Sequence, residues 1–260
     1  MTTVIAIDWS GAAVRAEKKI WLAEAQSGIL RRVENGRDRS AITRHLIELA
    51  RRERDLIVGL DFAFALPAWF LRERGIASAH ELWARMAAGE CEEWLREPLS
   101  PPFFGRRGAR RPRDVELFRR DEQSSGAKSV FQVGGAGAVG TGSLRGMPVL
   151  HALHEAGFSI WPFDPPARPL VVEIYPRACY DAPVAKSCRD ARAAYVAAHC
   201  AHLPPDLARP AVESDDAFDA TVAAIAMDRH LPDFAALSPC DDPVTRLEGA
   251  IWRPCGSPHR

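Results

Sequence analysis

The fold of this chain is decided by Val4-Ile5-Ala6-Ile7-Asp8, a continuous apolar run that ends in a carboxylate. An unbroken run of this kind, rich in β-branched residues, predicts a strand buried on both faces. Two later runs share the pattern, because residues 56–61 end at Asp61 and residues 170–173 end at Glu173. An ionised carboxylate at the end of a buried strand is costly unless it is paired or binds a metal ion. Three such residues therefore predict one shared acidic centre.

The first 61 residues have a β-β-β-α-β pattern. Strands are predicted at 3–9, 19–24 and 28–33, with a Gln26-Ser27-Gly28 turn between the second and the third. An amphipathic helix is predicted over 39–54, and residues 55–61 form the next buried strand. Because a helix separates this strand from the meander, it is expected to join the sheet parallel to an earlier strand.

The rest of the chain is predicted to complete one α/β domain over residues 1–260. A loop-rich helical insertion of about 66–157 separates core strands, and long loops in compact domains are often functional. It contains two helices, after Pro67 and around 79–95, and ends with a helix near 144–156. The remaining predicted elements are a strand at 158–163, the strand that ends near Glu173, and helices at 186–201 and 214–230.

Composition excludes several classes of protein. The formal net charge is zero and 47% of the residues are hydrophobic, so the chain is not an obvious polyanion binder. No apolar stretch approaches the ~18 residues that span a bilayer, and no basic leader precedes the first strand. The six cysteines form no Cys-x-x-Cys pair, and the eight histidines show no metal-ligand spacing. A cytoplasmic protein with no membrane partner is expected.

A second acidic set opens the helix predicted at 214–230. Ser214 is a plausible N-cap, so Asp215 and Asp216 would also favour the positive end of the helix. Asp219 lies one turn further on and shares their face. Carboxylates that converge repel one another, and Mg²⁺ or Mn²⁺ would remove that penalty. Two ions about 3.5–4 Å apart could activate water and stabilise a leaving oxygen in phosphodiester hydrolysis.

Purely structural roles remain open for two of the strand-end acids. Asp8 could accept hydrogen bonds from the amides of the Ser10-Gly11 turn. Glu173 could form an ion pair, with Arg177 as the nearest candidate in sequence.

Motifs spread over nearly the whole chain resemble the domain of unknown function 429 family, described as predicted ribonuclease H-like nucleases. They are residues 7–11 (IDWSG), 59–63 (GLDFA) continuing to Pro67, 172–176 (VEIYP), 215–220 (DDAFDA) and 248–252 (EGAIW). The resemblance implies a ribonuclease H-like α/β fold, with a mixed five-stranded sheet flanked by helices. It also implies that Asp8, Asp61, Glu173, Asp216 and Asp219 are the acids that bind metal and catalyse.

Basic and glycine-rich segments could bind the substrate. Residues 105–120 carry seven arginines and two acids, so Arg106, Arg107, Arg110 and Arg111 are candidates to hold nucleic-acid phosphates. A solvated loop paired with nearby glutamates is the alternative. Around the glycine cluster at 134–142, Lys128 and Gln132 could bind phosphate if this segment folds over the acids, although a flexible linker would have the same composition. The candidate substrate contacts are completed by Ser10.

The sequence thus predicts a divalent-metal-dependent nuclease or phosphodiesterase. Asp8, Asp61 and Asp216 would be the primary ligands, and Glu173 and Asp219 would complete a second metal site or orient water. Two alternatives remain. Actin-like ATPases and sugar kinases share this superfold, although their Asp-x-Gly turn is spaced differently from Asp8-Trp9-Ser10-Gly11. The chain could also be a non-catalytic scaffold that binds nucleic acid or protein.

Overall fold

The structure is a computed structural model that describes residues 1–96, 102–106, 109–113, 115–135 and 137–255. Its strands are β1 (Thr3–Asp8), β2 (Trp21–Gln26), β3 (Ile29–Glu34), β4 (Leu56–Leu60), β5 (Ser159–Trp161), β6 (Leu170–Ile174) and β7 (Ile251–Trp252). Its first helices are α1 (Arg39–Arg52), α2 (Ala68–Glu73), α3 (Ala79–Arg85), α4 (Cys91–Arg96), α5 (Arg120–Ser125) and α6 (Val139–Glu155). The later helices are α7 (Arg189–His199), α8 (Pro205–Glu213), α9 (Asp215–Arg229), α10 (Leu231–Ala235) and α11 (Thr245–Glu248).

One mixed sheet organises these elements in the order β3-β2-β1-β4-β6. The first three strands form an antiparallel meander, whereas β4 pairs parallel to β1 and β6 pairs parallel to β4. The helix α1 makes the crossover from β3 to β4, as the sequence pattern predicts. Because β1, β4 and β6 run in the same direction, their carboxyl ends meet at one edge of the sheet.

The expectation of five strands is wrong, since the described residues form a sheet of seven. Both additional strands are short and lie on the far side of β6. The strand β5 pairs parallel with the first part of β6, and β7 pairs parallel with Glu173 and Ile174 at its end. Together they cover an edge that a five-stranded sheet would leave open, and an uncovered edge invites pairing with other chains.

Each face of the sheet is covered by its own hydrophobic core, because successive strand residues point to opposite faces. Ile5 and Ile7 of β1 pack with α1 and with the helices that follow β4. Val4 and Ala6 of the same strand pack with α7, α8, α9 and α10. Among the described residues between β4 and β5, the helices α2, α3, α4 and α6 place apolar side chains in the first of these cores, whereas α5 places none there.

The helix α9 lies unusually close to the sheet. Every residue from Ala217 to Asp228 is buried, as the run of small and apolar side chains predicts. A Cβ atom added at Gly59 in β4 would lie 2.7 Å from the Met227 sulfur of α9. Ser214 caps the helix, because its Oγ accepts a hydrogen bond of 3.2 Å from the Ala217 amide. This packing brings Asp216 and Asp219 close to Asp8 at the end of β1.

We expect Gly11→Ala to destabilise the protein by about 1–3 kcal/mol, because overpacking against a rigid neighbour has that cost. Its new Cβ would lie 2.6 Å from the Gly142 nitrogen and 2.8 Å from the Thr141 carbonyl carbon, both backbone atoms of α6. The control is Gly142→Ala on the other side of the contact, where the nearest atoms are 3.7 Å away. That change should be neutral or stabilising, since alanine favours a helix. Urea unfolding of the two variants checks the asymmetry, and equal losses would contradict it.

Candidate functional site

The acids predicted from the sequence lie around one edge of the sheet. Asp8 ends β1, Asp61 directly follows β4 and Glu173 lies in β6, so all three are at the carboxyl ends of parallel strands. The helix α9 packs against β1 and β2 and brings Asp216 and Asp219 to the same edge. Each of Asp61, Asp216 and Asp219 is near enough to raise the pKa of the Asp8 carboxyl.

Three of these carboxylates are without hydrogen-bond donors among the residues that the structure describes: those of Asp8, Asp61 and Asp216. Asp8 is only 7% exposed, and the amide of Ala12 in the turn after β1 bonds to Ser10 Oγ at 3.2 Å instead. Burial, and then the neighbouring carboxylates, raise the pKa of Asp8 well above its ordinary value. Burial and Asp219 raise the pKa of Asp61 to about 8. Burial and Asp215 raise the pKa of Asp216.

Asp219 differs because both of its oxygens are bonded. The Tyr180 hydroxyl donates to Oδ1, and the Lys186 ammonium group donates to Oδ2. Burial still raises the pKa of Asp219, although Lys186 opposes the rise. The pKa of Lys186 is itself raised: burial acts against this, but Asp219, Asp8 and Asp61 outweigh it. Lys186 therefore partly neutralises the charge of these acids.

Glu173 is held in a buried ion pair, with Arg119 as its partner rather than Arg177. Arg119 Nη1 donates to Glu173 Oε2 at 2.8 Å and Nη2 donates to Oε1, while Phe64 N donates to Oε2 at 2.9 Å. Arg119 Nε also donates to Glu122 Oε1 at 2.8 Å. Although burial acts in the opposite direction, Glu173 and Glu122 raise the pKa of Arg119 above its ordinary value. This pairing satisfies the Glu173 carboxylate without a metal ion.

A cavity of about 440 Å³ opens beside the acids. Of the five predicted acids, Asp61 and Glu173 line it, together with the basic side chains of Lys128, Arg177 and Lys186. A neighbouring cavity of about 310 Å³ shares Tyr175 and Arg177 with the first. Acidic and basic side chains thus face a common space that is large enough for a nucleotide-sized ligand.

The other predicted substrate-binding residues that the structure describes do not line this cavity. Ser10 is in the turn after β1, and Gln132 forms an isolated bridge with Phe104 outside the cavity lining. Arg106 bonds to the Leu95 carbonyl at 3.2 Å, and Arg111 stacks over Phe118 at 5.2 Å. Arg106, Arg110 and Arg111 are not among the described residues that line the cavity. Arg107 lies outside the described residues.

The family of the chain follows from comparison with known proteins. The model of the family described as Protein of unknown function (DUF429) matches residues 1–243. The chain belongs to this family. No curated protein and no solved structure matches it. Across the described ranges, no helix of this DUF429 member is both long and apolar enough to cross a membrane.

Two residues of this DUF429 site were missed by reasoning from sequence, Lys186 and Tyr180. Composition did contain a signal for the first, because arginine outnumbers lysine 30 to 4 in the chain. Two of those four lysines, Lys128 and Lys186, line the cavity beside the acids. Because lysine is rare in this chain, each lysine is a candidate for a specific role. Nothing in the sequence marks Tyr180 or pairs Arg119 with Glu173, because both contacts depend on the tertiary fold.

The donor set suits a hard divalent cation. Burial, and then the neighbouring carboxylates, raise the pKa values of the Asp8, Asp61 and Asp216 carboxyls, and bound Mg²⁺ or Mn²⁺ would lower them. No three of the described acids at this edge place ligand atoms within 4.8 Å of one another. A cation there would take one or two carboxylates and keep several waters, which is how Mg²⁺ commonly binds.

Without divalent cations, we expect the free energy of unfolding to fall as pH rises from about 4 to about 8. Folded Asp61, with its pKa of about 8, keeps its proton through this range, whereas an unfolded aspartate loses it near pH 4. The stabilising difference is therefore present at low pH and lost as pH passes the folded pKa. Urea unfolding in EDTA at pH 5, 6, 7 and 8 measures the slope. If the free energy of unfolding falls equally with pH in Asp61→Asn, the Asp61 carboxyl is not the cause of this pH dependence.

Proposed function

We propose that this protein is a divalent-cation-dependent phosphodiesterase that acts on nucleic acid. One observation carries the proposal: Asp8, Asp61 and Asp216 are held at one edge of the sheet without hydrogen-bond donors among the described residues, and their pKa values are raised. Such an arrangement destabilises the fold unless it serves a ligand, and the ligand that relieves it best is a cation. Strongly shifted pKa values of this kind are typical of functional sites.

One Mg²⁺ or Mn²⁺ ion would bind one or two of the carboxylates of Asp8, Asp61 and Asp216 and keep waters as its other ligands. When bound, such an ion supplies Lewis acidity to a phosphoryl oxygen and lowers the pKa of water. The second ion predicted from the sequence would need Asp219 or Glu173, which are bonded to Lys186 and Tyr180 and to Arg119. We therefore assign Asp219 to positioning Lys186, and Glu173 to holding the segment at Phe64 next to Asp61.

The proposal that the substrate is a nucleic acid rests on the basic side chains that line the cavity. Lys128, Arg177 and Lys186 line the same cavity as Asp61, so a phosphate bound in this cavity would meet positive charge. Arg177 is exposed and makes no ion pair with any residue in the described ranges. The adjoining cavity offers Tyr175 as an aromatic face on which a neighbouring base could stack. A chain of at least two nucleotides fits this arrangement better than free phosphate.

A ribonuclease H-like classification of the fold is part of the same proposal. It is supported by the β-β-β-α-β start, by the parallel pairing of β4 with β1, and by acids at strand ends close to the acidic start of α9. Fold alone does not establish a reaction, so the proposal stands on the site.

Hydrolysis assays test the proposed function. The purified chain is incubated with Mn²⁺ or Mg²⁺ and with single-stranded, double-stranded and branched DNA and RNA, and the products are resolved by length. We expect cleavage that requires the cation, stops in EDTA, and is lost in Asp61→Asn. The matched control is Asp241→Asn, which changes an exposed acid and should retain full activity. Cleavage that survives Asp61→Asn, or no cleavage of any substrate, would count against the proposal.

A further inference from the structure

A second group of potential metal ligands lies away from the acidic edge, at His80, His154 and Asp164. His80 is in the first turn of α3, His154 is in the last turn of α6, and Asp164 follows β5. One ligand atom from each residue lies within 4.8 Å of the others. His80 Nε2 is 2.9 Å from Asp164 Oδ1, and His154 Nε2 is 3.7 Å from the same oxygen.

These distances are close to those of a zinc site. Zinc bonds of ~2.0–2.1 Å in tetrahedral geometry separate the ligand atoms by about 3.3–3.4 Å, and 2.9 and 3.7 Å bracket that value. The imidazole rings are 4.4 Å apart between centroids, so both nitrogens can approach one ion with small shifts. The three side chains are 34%, 36% and 17% exposed, which leaves a path for an ion to enter from solvent.

The surroundings orient the ligands. The Ile160 amide donates to Asp164 Oδ2 at 2.8 Å and leaves Oδ1 for the histidines. The His80 ring packs edge-on against Trp83 at 5.0 Å. Fixing the ring and the carboxylate in this way is the usual preparation of a metal site.

We propose that His80, His154 and Asp164 bind a divalent transition-metal ion of the zinc class, with water as a fourth ligand. Two imidazole nitrogens and one carboxylate suit Zn²⁺ better than Mg²⁺, which prefers oxygen ligands throughout. The ion would clip α3 and α6 to the segment after β5. It is independent of the cation proposed at Asp8, Asp61 and Asp216, which differs from it in both chemistry and place.

The bound ion would also stabilise the backbone that follows Asp61 at the acidic site. The Trp83 indole, which packs on His80, donates a hydrogen bond of 2.7 Å to the Phe64 carbonyl. The Phe64 amide in turn donates to Glu173 at 2.9 Å. Two contacts therefore join the clip to the backbone that follows Asp61. This makes its role structural, so it should be measured by binding and stability rather than by activity.

Calorimetric titration of Zn²⁺ into the full chain, without a histidine tag and in excess Mg²⁺, tests the proposal. Excess Mg²⁺ competes with Zn²⁺ for the oxygen ligands of the acidic edge, so that the remaining Zn²⁺ binding reports the second site. We expect one Zn²⁺ per chain and a higher melting temperature. His154→Gln and Asp164→Asn should each weaken binding by about 100-fold or more, since even outer contacts to a metal ligand contribute about 10–100-fold. The matched control is His151→Gln one turn earlier on α6, which should bind normally.

A second measurement avoids reliance on variants. Zinc should shift the side-chain imidazole resonances of two histidines in the unmodified protein, and the assigned signals should be those of His80 and His154. The proposal is overturned if Zn²⁺ does not bind, if other histidines shift, or if His151→Gln weakens binding as much as His154→Gln. It is also overturned if Asp8→Asn abolishes the Zn²⁺ signal, because the ion would then be at the acidic edge.

Discussion

Replacing Arg119 with alanine is expected to destabilise the protein by about 3–5 kcal/mol, the usual cost of removing one partner of a buried ion pair. The Arg119 side chain is 1% exposed and contacts Glu122 and Glu173, which are also buried. Without the guanidinium group, two carboxyls would remain in the interior with no cation between them. Urea unfolding measured at pH 7 gives the change in the free energy of unfolding.

The neighbouring arginine supplies a matched control. Arg120 pairs with Asp242 at 2.9 Å, but its side chain is 62% exposed. A pair in such a position contributes about 0–1 kcal/mol, so Arg120→Ala should have little effect. The hydrogen bond from the Arg120 backbone amide to the Glu248 carboxylate does not involve the side chain, so it is retained in the variant. Equal losses in the two variants would contradict the buried network as described.

Replacing Asp8 with asparagine is expected to change activity and stability in opposite directions. Hydrolysis should fall by about 100-fold or more, because even the outer contacts of a metal ligand contribute about 10–100-fold. In EDTA at pH 8 the same variant should be more stable than the unmodified protein. The reason is that burial and repulsion from Asp61, Asp219 and Asp216 destabilise the ionised Asp8 carboxylate.

Excess Mg²⁺ should then reverse the order of stability, because a bound cation stabilises only the chain that retains its ligands. Unfolding curves of both proteins, with EDTA and with Mg²⁺, measure this reversal of the order of stability. Asp241→Asn serves again as the exposed control and should follow the unmodified protein in both buffers. If Asp8→Asn is destabilising in EDTA, Asp8 is a structural residue and the assignment of the site fails.

Local patterns in the sequence were sufficient for the core of the fold. The apolar runs before Asp8 and Asp61 gave β1 and β4, and the amphipathic stretch between them gave α1. Parallel pairing then placed the strand-end acids at one edge, which is why these residues could be grouped before their positions were known. The capping serine likewise placed the start of α9 at the correct residue.

Contacts between distant residues were not accessible in this way. Glu173 was predicted to be a catalytic acid, with an ion pair to Arg177 as the structural alternative. Its partner is Arg119, 54 residues away, inside a segment that was predicted to be a solvated or nucleic-acid-binding loop. Lys186 reaches Asp219 from a turn before α7. The count of five strands was an implication of the family resemblance. The strand predicted at 158–163 contains β5 and the motif at 248–252 contains β7, but the pairing of both beside β6 depends on the tertiary fold.

The histidine cluster shows the same limit for metal ligands. Recognisable metal motifs bring ligands together within one helix or turn, so their spacing is visible in the sequence. His80 and His154 are 74 positions apart and belong to different helices. Only the packing of α3 beside α6 brings them together, and no spacing rule could have indicated it.

The account depends most on the binding of a divalent cation by the acids at the carboxyl ends of β1 and β4. The most direct measurement is a crystal structure of the protein soaked in Mn²⁺, with anomalous differences recorded near the manganese edge. We predict an anomalous peak in contact with carboxylate oxygens of Asp8 and at least one of Asp61 and Asp216, and its loss in crystals of Asp8→Asn. Crystals that show no manganese at this edge, or an unchanged peak in the variant, would contradict the account.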